Sequence, residues 1–268
     1  MIALRTETRN IRVPSLRLAP KLIRRNMLAY KHAWVAIFTG FFEPLFYLGA
    51  VGFGVGEFVG TVTVAGTDIS YPVFVAPGML AASTLNGAIA DGFFTPYFKL
   101  NWTKIYAGII ATPMSVPEIA VGEMLWAQIR GTIYSAGFLI VMALLGLIES
   151  PWGILALPAA MLSAGALSAG AMILTGITKQ ITSLEKVMTL VFFPLFLFSG
   201  TFYPVSLYPD YLQPIVQATP LYHSAALIRS LTTGHVGTEA LVNVTYLVAM
   251  FVIANAVSIK LMEKKLIS

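Results

Sequence analysis

Six long apolar runs dominate the chain, at 33–55, 71–94, 119–148, 152–177, 187–202 and 240–259. A helix crossing a hydrocarbon layer about 30 Å thick needs about 20 apolar residues, each rising 1.5 Å. Most of the runs meet that requirement. The third exceeds it, so its first turns are expected in the inner headgroup region, or the helix tilts. The fifth is short and ends at "SGTFYP", where the chain is expected to leave the bilayer early.

Composition leaves no other solvent for these runs. Apolar residues make up 57% of the 268 and charged residues only 11%, where a soluble domain carries about a quarter. Mean hydropathy is +0.79. Too little polar surface exists to cover a water-soluble globule, so lipid surrounds most of the chain. The expected fold class is an all-α polytopic membrane protein forming a single transmembrane domain. Residues 1–32 are read as a cytoplasmic and interfacial segment, 33–260 as a six-span bundle and 261–268 as a cytoplasmic tail. The first run begins after about thirty mixed residues and is too long for the apolar part of a secretory signal. Cysteine is absent, which excludes disulfides, thiolate metal sites and cysteine nucleophiles.

The net charge of +5 raises the question of nucleic acid, and its distribution answers it. Fifteen of the seventeen lysines and arginines fall before the first run, after the second, after the fourth or after the sixth. Arg229 alone lies in the opposite loops, and Arg130 is inside the third run. Six spans with both termini cytoplasmic satisfy the positive-inside rule. The basic charge is thus an orientation signal, with no nucleic-acid partner expected.

"SLRLAPKLIRRNMLAYKH" forms an amphipathic helix when plotted at 100° per residue. Leu16, Ile23, Met27 and Tyr30 share one sector, and Arg17, Lys21, Arg24, Arg25 and Lys31 its neighbour. Such a helix is expected in the headgroup layer, attracted by anionic lipid and able to form a cuff around a cytoplasmic partner. A second cytoplasmic segment, "TPYFKLNWTKIYAGIIATPMSVPE", is bracketed by Pro96, Pro113 and Pro117. It predicts a short helix over 98–110 parallel to the membrane. A plain turn needs far fewer residues, so its length and apolar content, with Phe98, Lys99, Trp102, Lys104 and Tyr106 along it, point to a docking surface.

Ionisable groups at membrane depth are costly and face protein or water. They are Glu43, Asp91, Glu123 and Arg130. Glu123 and Arg130 share a helix face with Tyr134, and Asp91 is placed to pair with Arg130. That trio reads as an inter-helix polar clamp near the inner surface, in preference to an ion pathway. Glu43 lies deeper, beside Pro44, whose missing N–H frees the carbonyl of Gly40 and kinks the helix. It either bridges that defect or lines a route for a substrate with a polar head. Small residues in the fourth run, Ala160, Ala164 and Ser168, with Gly165 and Ala169, permit close helix packing.

Catalytic and nucleotide-binding patterns are missing. "GFGVGEFVG" has the wrong spacing for a dinucleotide fingerprint and follows no strand. There is no Walker A pattern, no HExxH pair and no GxSxG elbow. Three scattered histidines make no metal cluster. Two further function classes find little support in the residues. An ion-coupled secondary transporter calls for inverted repeats and acidic groups in both halves. An intramembrane enzyme calls for converging catalytic groups, and only His223, Asp210 and Ser224 approach that.

After the fifth run, prolines 204, 209, 214 and 220 alternate with tyrosines 203, 208, 211 and 222. Two short, partly apolar helices are expected to dip into the outer leaflet there, too short to span and too oily for a free loop. This stretch, "FSGTFYPVSLYPDYLQ" followed by "ATPLYHSAALIR", resembles the signature of the permease subunits of type-2 ABC exporters. "LIRRNMLAYKHAW", "EPLFYLGAVGFGVG", "FVAPGMLAAS" and "PEIAVGEMLWA" resemble the branch that exports nodulation factors and confers daunorubicin resistance.

That resemblance implies a six-span subunit in the inner membrane, working as a homodimer or heterodimer with two copies of a cytoplasmic ABC ATPase. ATP and magnesium would be bound by that partner, leaving no cofactor in this chain. Arg17, Lys21, Arg24 and Arg25 with the 98–110 coupling helix would meet the ATPase. Re-entrant helices at about 204–231 would close the exit, with Phe202, Tyr203, Tyr208 and Tyr211 near the cargo. Cargoes of the family are lipo-oligosaccharides, lipid-linked polysaccharides or amphipathic drugs. The Glu43–Pro44 pair matches the branch, which favours a structural role for it.

Overall fold

A computed structural model describes residues 17–30, 42, 44–64 and 66–267. Glu43 and Leu16 lie outside the described residues, and so does the start of the first apolar run. Helix α1 (Ala19–Tyr30) is followed by α2 (Pro44–Val59), which contains π-helical turns over Leu48–Val55. An antiparallel hairpin, β1 (Thr61–Val64) and β2 (Thr67–Ser70), then leads into α3 (Tyr71–Asn101). Short α4 (Ile105–Ile110) precedes α5 (Val116–Leu144) and α6 (Ala156–Ile177). Helix α7 comprises Thr182–Val187, Met188–Phe192 and Phe193–Leu197 without a break. The chain ends through α8 (Gln213–Gln217), α9 (Pro220–Thr233) and α10 (Thr238–Ile267).

Four helices among the described residues are long and apolar enough to cross a membrane: α3, α5, α10 and α6 with its leading 3-10 turn. At 1.5 Å per residue the sixteen residues of α7 reach only about 24 Å. The described part of α2 is equally short.

The hairpin differs from the all-helical expectation. "TVTV" and "TDIS" alternate around a turn at Gly66, whose φ of +81° suits glycine, and Thr61 pairs with Ser70 while Val64 pairs with Thr67. Hydropathy alone assigned the neighbouring residues to a span end and missed the period of two. The expected helix over 98–110 is also interrupted. Helix α3 continues to Asn101, the amides of Trp102 and Thr103 both close on the carbonyl of Phe98, and Lys104 adopts φ +49° before α4 begins. The chain thus turns sharply between two helical pieces.

Helix α6 is the hub, packed against α3, α5, α9 and α10. Its rows of small residues explain that position. Ala164 and Ser168 face Gly131 of α5 and Gly92 of α3, while Gly165 meets Phe251 and Ser258 donates to the carbonyl of Ala169 at 2.8 Å from α10. The nearest approach to another backbone joins α3 to α5, where a Cβ on Gly87 would stand 2.7 Å from the Cα of Gly131.

Because that contact is backbone against backbone, Gly87→Val is expected to lower stability by roughly 1–3 kcal/mol, read as a drop in the thermal unfolding midpoint in detergent. Gly108→Ala, with open space around its Cα, serves as the control and leaves the midpoint unchanged or slightly raised. Equal midpoints for both variants would refute the close packing.

A candidate coupling site at the basic end of the bundle

Helix α5 starts at a capping box. The Glu118 carboxylate accepts from the amide and hydroxyl of Ser115, both at 2.8 Å, and its other oxygen accepts from the amide of Leu18 at 3.3 Å. The last bond pins the start of α1 beside the start of α5. From there the two helices run together: Leu22 seats against Gly122, and Tyr30 lies 5.5 Å ring to ring from Trp126. The face of α1 turned to the protein buries Ala19, Leu22 and Asn26, and of the apolar sector read from the sequence Tyr30 joins it. Met27 and Leu28 point away and are well exposed, as are Arg17, Lys21, Arg24 and Arg25. A buried Asn26 inverts the hydropathy reading because a carboxylate meets it.

That carboxylate is Glu123, fully buried. Lys99 Nζ donates to both its oxygens at 2.7 and 2.8 Å and to Asn26 Oδ1 at 3.0 Å, while Asn26 Nδ2 donates to Glu123 at 3.0 Å. Tyr106 of α4 is buried beside the same group. Burial, and then the negative charge of Glu123, push its phenol well above the ordinary tyrosine value. A single carboxylate therefore gathers α1, α3, α4 and α5.

A second cluster lies deeper. Asp91 and Arg130 form an ion pair at 2.5 Å, both buried. Tyr30 donates to Asp91 at 3.0 Å, Arg130 donates to the hydroxyl of Tyr134, and its guanidinium stands 4.5 Å from the Tyr30 ring centre. Glu123 and Arg130 share a face of α5, yet they serve separate clusters. Of the docking residues proposed from sequence, Phe98, Trp102 and Lys104 are exposed. Lys99 and Tyr106 are not, because Glu123 draws one and the core takes the other. Asn26 and Glu118 were not found by sequence reasoning, and Tyr30 was read only as part of an apolar sector. The capping signal "SVPE" was the one available clue, since serine three residues before glutamate marks a helix start.

At the opposite end Phe202 packs edge-on to Phe196 and beside Tyr47, and its carbonyl accepts from Tyr71 at 2.9 Å. Tyr203 stacks on buried Tyr208 at 4.6 Å, and Tyr211 is exposed. Arg229 was counted in the sequence only as a loop charge. It is buried instead, donating to the carbonyls of Phe74 and Gly200, each at 3.0 Å, with its guanidinium 3.9 Å from the Phe74 ring centre. It ties α9 to α3 and to the loop after α7. His223 is spent structurally, 2.7 Å from Asn243 and stacked on Tyr246. Among the described residues no cluster of potential metal ligands occurs.

Among the described residues, long apolar helices with ion pairs at one basic end define a polytopic membrane protein. The family model for ABC-2 type transporters matches residues 21–233, and the chain belongs to that family. It is 30% identical over 245 residues to "Nodulation protein J" of Rhizobium leguminosarum bv. trifolii, covering 91% of this chain and 92% of that one. The protein of the same name from Rhizobium meliloti (strain 1021) is 30% identical over 238 residues, covering 87% and 89%. Family membership implies partnership with an ABC ATPase.

Removing one partner of a buried pair strands the other charge. Glu123→Ala is therefore expected to destabilise by about 3–5 kcal/mol, and Lys99→Met combined with Glu123→Met to recover most of the loss. A double-mutant cycle on unfolding midpoints measures this, and additive losses would deny the pairing.

Proposed function

We propose that this chain is the permease half of an ATP-driven exporter that moves an amphipathic or lipid-linked molecule out of the cytoplasm or inner leaflet. The lipo-oligosaccharide class is favoured over polysaccharides and drugs, on the likeness to proteins named for nodulation. Two permeases, identical or sister chains, would enclose the path. Two copies of the ATPase would dock at the basic end, and both termini would lie in the cytoplasm of a cell whose inner membrane holds the six spans.

The observation that carries this reading is the placement of Phe98, Trp102 and Lys104 on the surface directly outside the Glu123 cluster. An aromatic knob outside and a desolvated ionic brace inside make a stiff lever. Movement of the knob by a nucleotide-bound partner reaches α1, α3 and α5 together, since Glu123 binds or adjoins all three. The basic residues of α1 widen the same surface. At the far end the stacked tyrosines 203 and 208 and the Arg229 brace would form the exit closure.

Trp102→Glu places a charge on the knob without touching the brace. Cargo-stimulated ATP hydrolysis by the assembled complex is expected to fall by about tenfold, the equivalent of ~1.4 kcal/mol of docking energy, with an unchanged unfolding midpoint. Full stimulation in that variant would reject the coupling role, and export by the chain without any ATPase would reject the whole reading.

A further inference from the structure

Between α6 and α7 lies a crevice of about 560 Å³, walled by Leu167 and Leu174 of α6 and by Leu190 and Leu195 of α7. Ile215 of α8 and Met250 of α10 complete it. No charged side chain lines it. With Thr219 its one polar side chain, such a lining offers water few hydrogen-bond partners, and the volume lies within the roughly 300–1,000 Å³ of small-ligand pockets.

The foot of the crevice is different in kind. Helices α6 and α7 are consecutive, joined at the basic end by residues 178–181. One turn beyond Leu174 comes Thr178, followed by exposed Lys179. One turn before Leu190, on the same face of α7, stands exposed Lys186. Lys265 of α10 adds a third cation, donating to the carbonyls of Thr175 and Thr178 at 3.0 and 2.5 Å, with Lys179 beside it. Among the described residues no ion pair joins Lys179 or Lys186 to the nearby carboxylates Glu185 and Glu263. About one turn from this apolar lining, at the basic end, stand Lys179 and Lys186, neither of them in an ion pair among the described residues.

We propose that this crevice holds one acyl chain of an anionic phospholipid from the leaflet at the basic end, with its phosphate between Lys179 and Lys186. Charge complementarity selects the occupant: a hydrocarbon chain fills the slot, and only a negatively charged head neutralises its foot. The site is separate from the coupling surface and does not depend on export. It makes a specific lipid part of the packing between α6 and α7.

The purified full chain in detergent is mixed with phosphatidylglycerol or phosphatidylcholine of identical chains, and native mass spectrometry counts the lipid retained. Retention of phosphatidylglycerol is expected to exceed that of phosphatidylcholine roughly thirtyfold, as two lysines near an anionic headgroup provide. Lys179→Glu with Lys186→Glu abolishes the preference. Leu190→Trp with Ile215→Trp fills the slot and lowers retention of both lipids; both residues are well exposed, and an unchanged unfolding midpoint verifies folding. Equal retention of the two lipids by the unaltered chain would overturn the proposal. So would a preference that survives the glutamate pair, which would place the headgroup on the basic face of α1. Retention indifferent to the tryptophans, or displacement of phosphatidylglycerol by an equimolar neutral alkyl glycoside, would also overturn it.

Discussion

Taking a charge out of water is the cost around which one end of this molecule is organised. Three ionised side chains, Asp91, Glu123 and Arg130, are buried among apolar helices and Lys99 is 13% exposed beside them, where an unpaired ion would cost several kcal/mol. They are tolerable only as pairs with their remaining donors and acceptors met. Asn26 and Tyr30, four residues apart on α1, supply that satisfaction, one to each pair. The N-terminal helix is therefore held by the polar needs of α3 and α5 as much as by its own apolar contacts. Its exposed face stays basic because none of those positive charges is required inside.

Much of this order is legible in the sequence. Apolar run lengths locate α3, α5, α6 and α10, because in lipid a helix is the only way for a single segment to satisfy its backbone. The distribution of lysine and arginine marks the basic end. Asp91 and Arg130 are readable as partners since intramembrane charges must find one another. What stays hidden is the choice between equivalent partners. Lys99 reads as a surface cation beside Phe98 and Trp102, and only the arrival of α5 shows that it belongs to Glu123. Arg229 is concealed for the opposite reason: its partners are backbone carbonyls of Phe74 and Gly200, which carry no sequence signature.

The hairpin and the broken coupling segment are misread for a shared cause. Both are short, and hydropathy averages over a window longer than either. In "TVTVAGTDIS" the alternation of valine and threonine is a local signal that survives only at a period of two. In "FKLNWTKIY" the stop is made by two amides folding back on the Phe98 carbonyl, a geometry open to many sequences.

Helix α7 stands apart from the tightly seated α6. The apolar crevice flanks it on one side, and a smaller cavity of about 90 Å³, lined by Pro44, Tyr47, Asn86 and Phe196, flanks it on the other. Leu85 and Phe192 form the wall common to both. Few residues of α7 are buried, Met188–Phe192 is π-helical, and the chain after it turns through Gly200 at φ +67°. Each of these lowers the cost of displacing the helix: voids remove dispersion contacts, and wide turns ease bending. A bundle whose hub is closed by glycine and alanine cannot yield at α6. A rearrangement of this subunit meets the least resistance at α7, whose two flanks are not filled by the protein's own side chains.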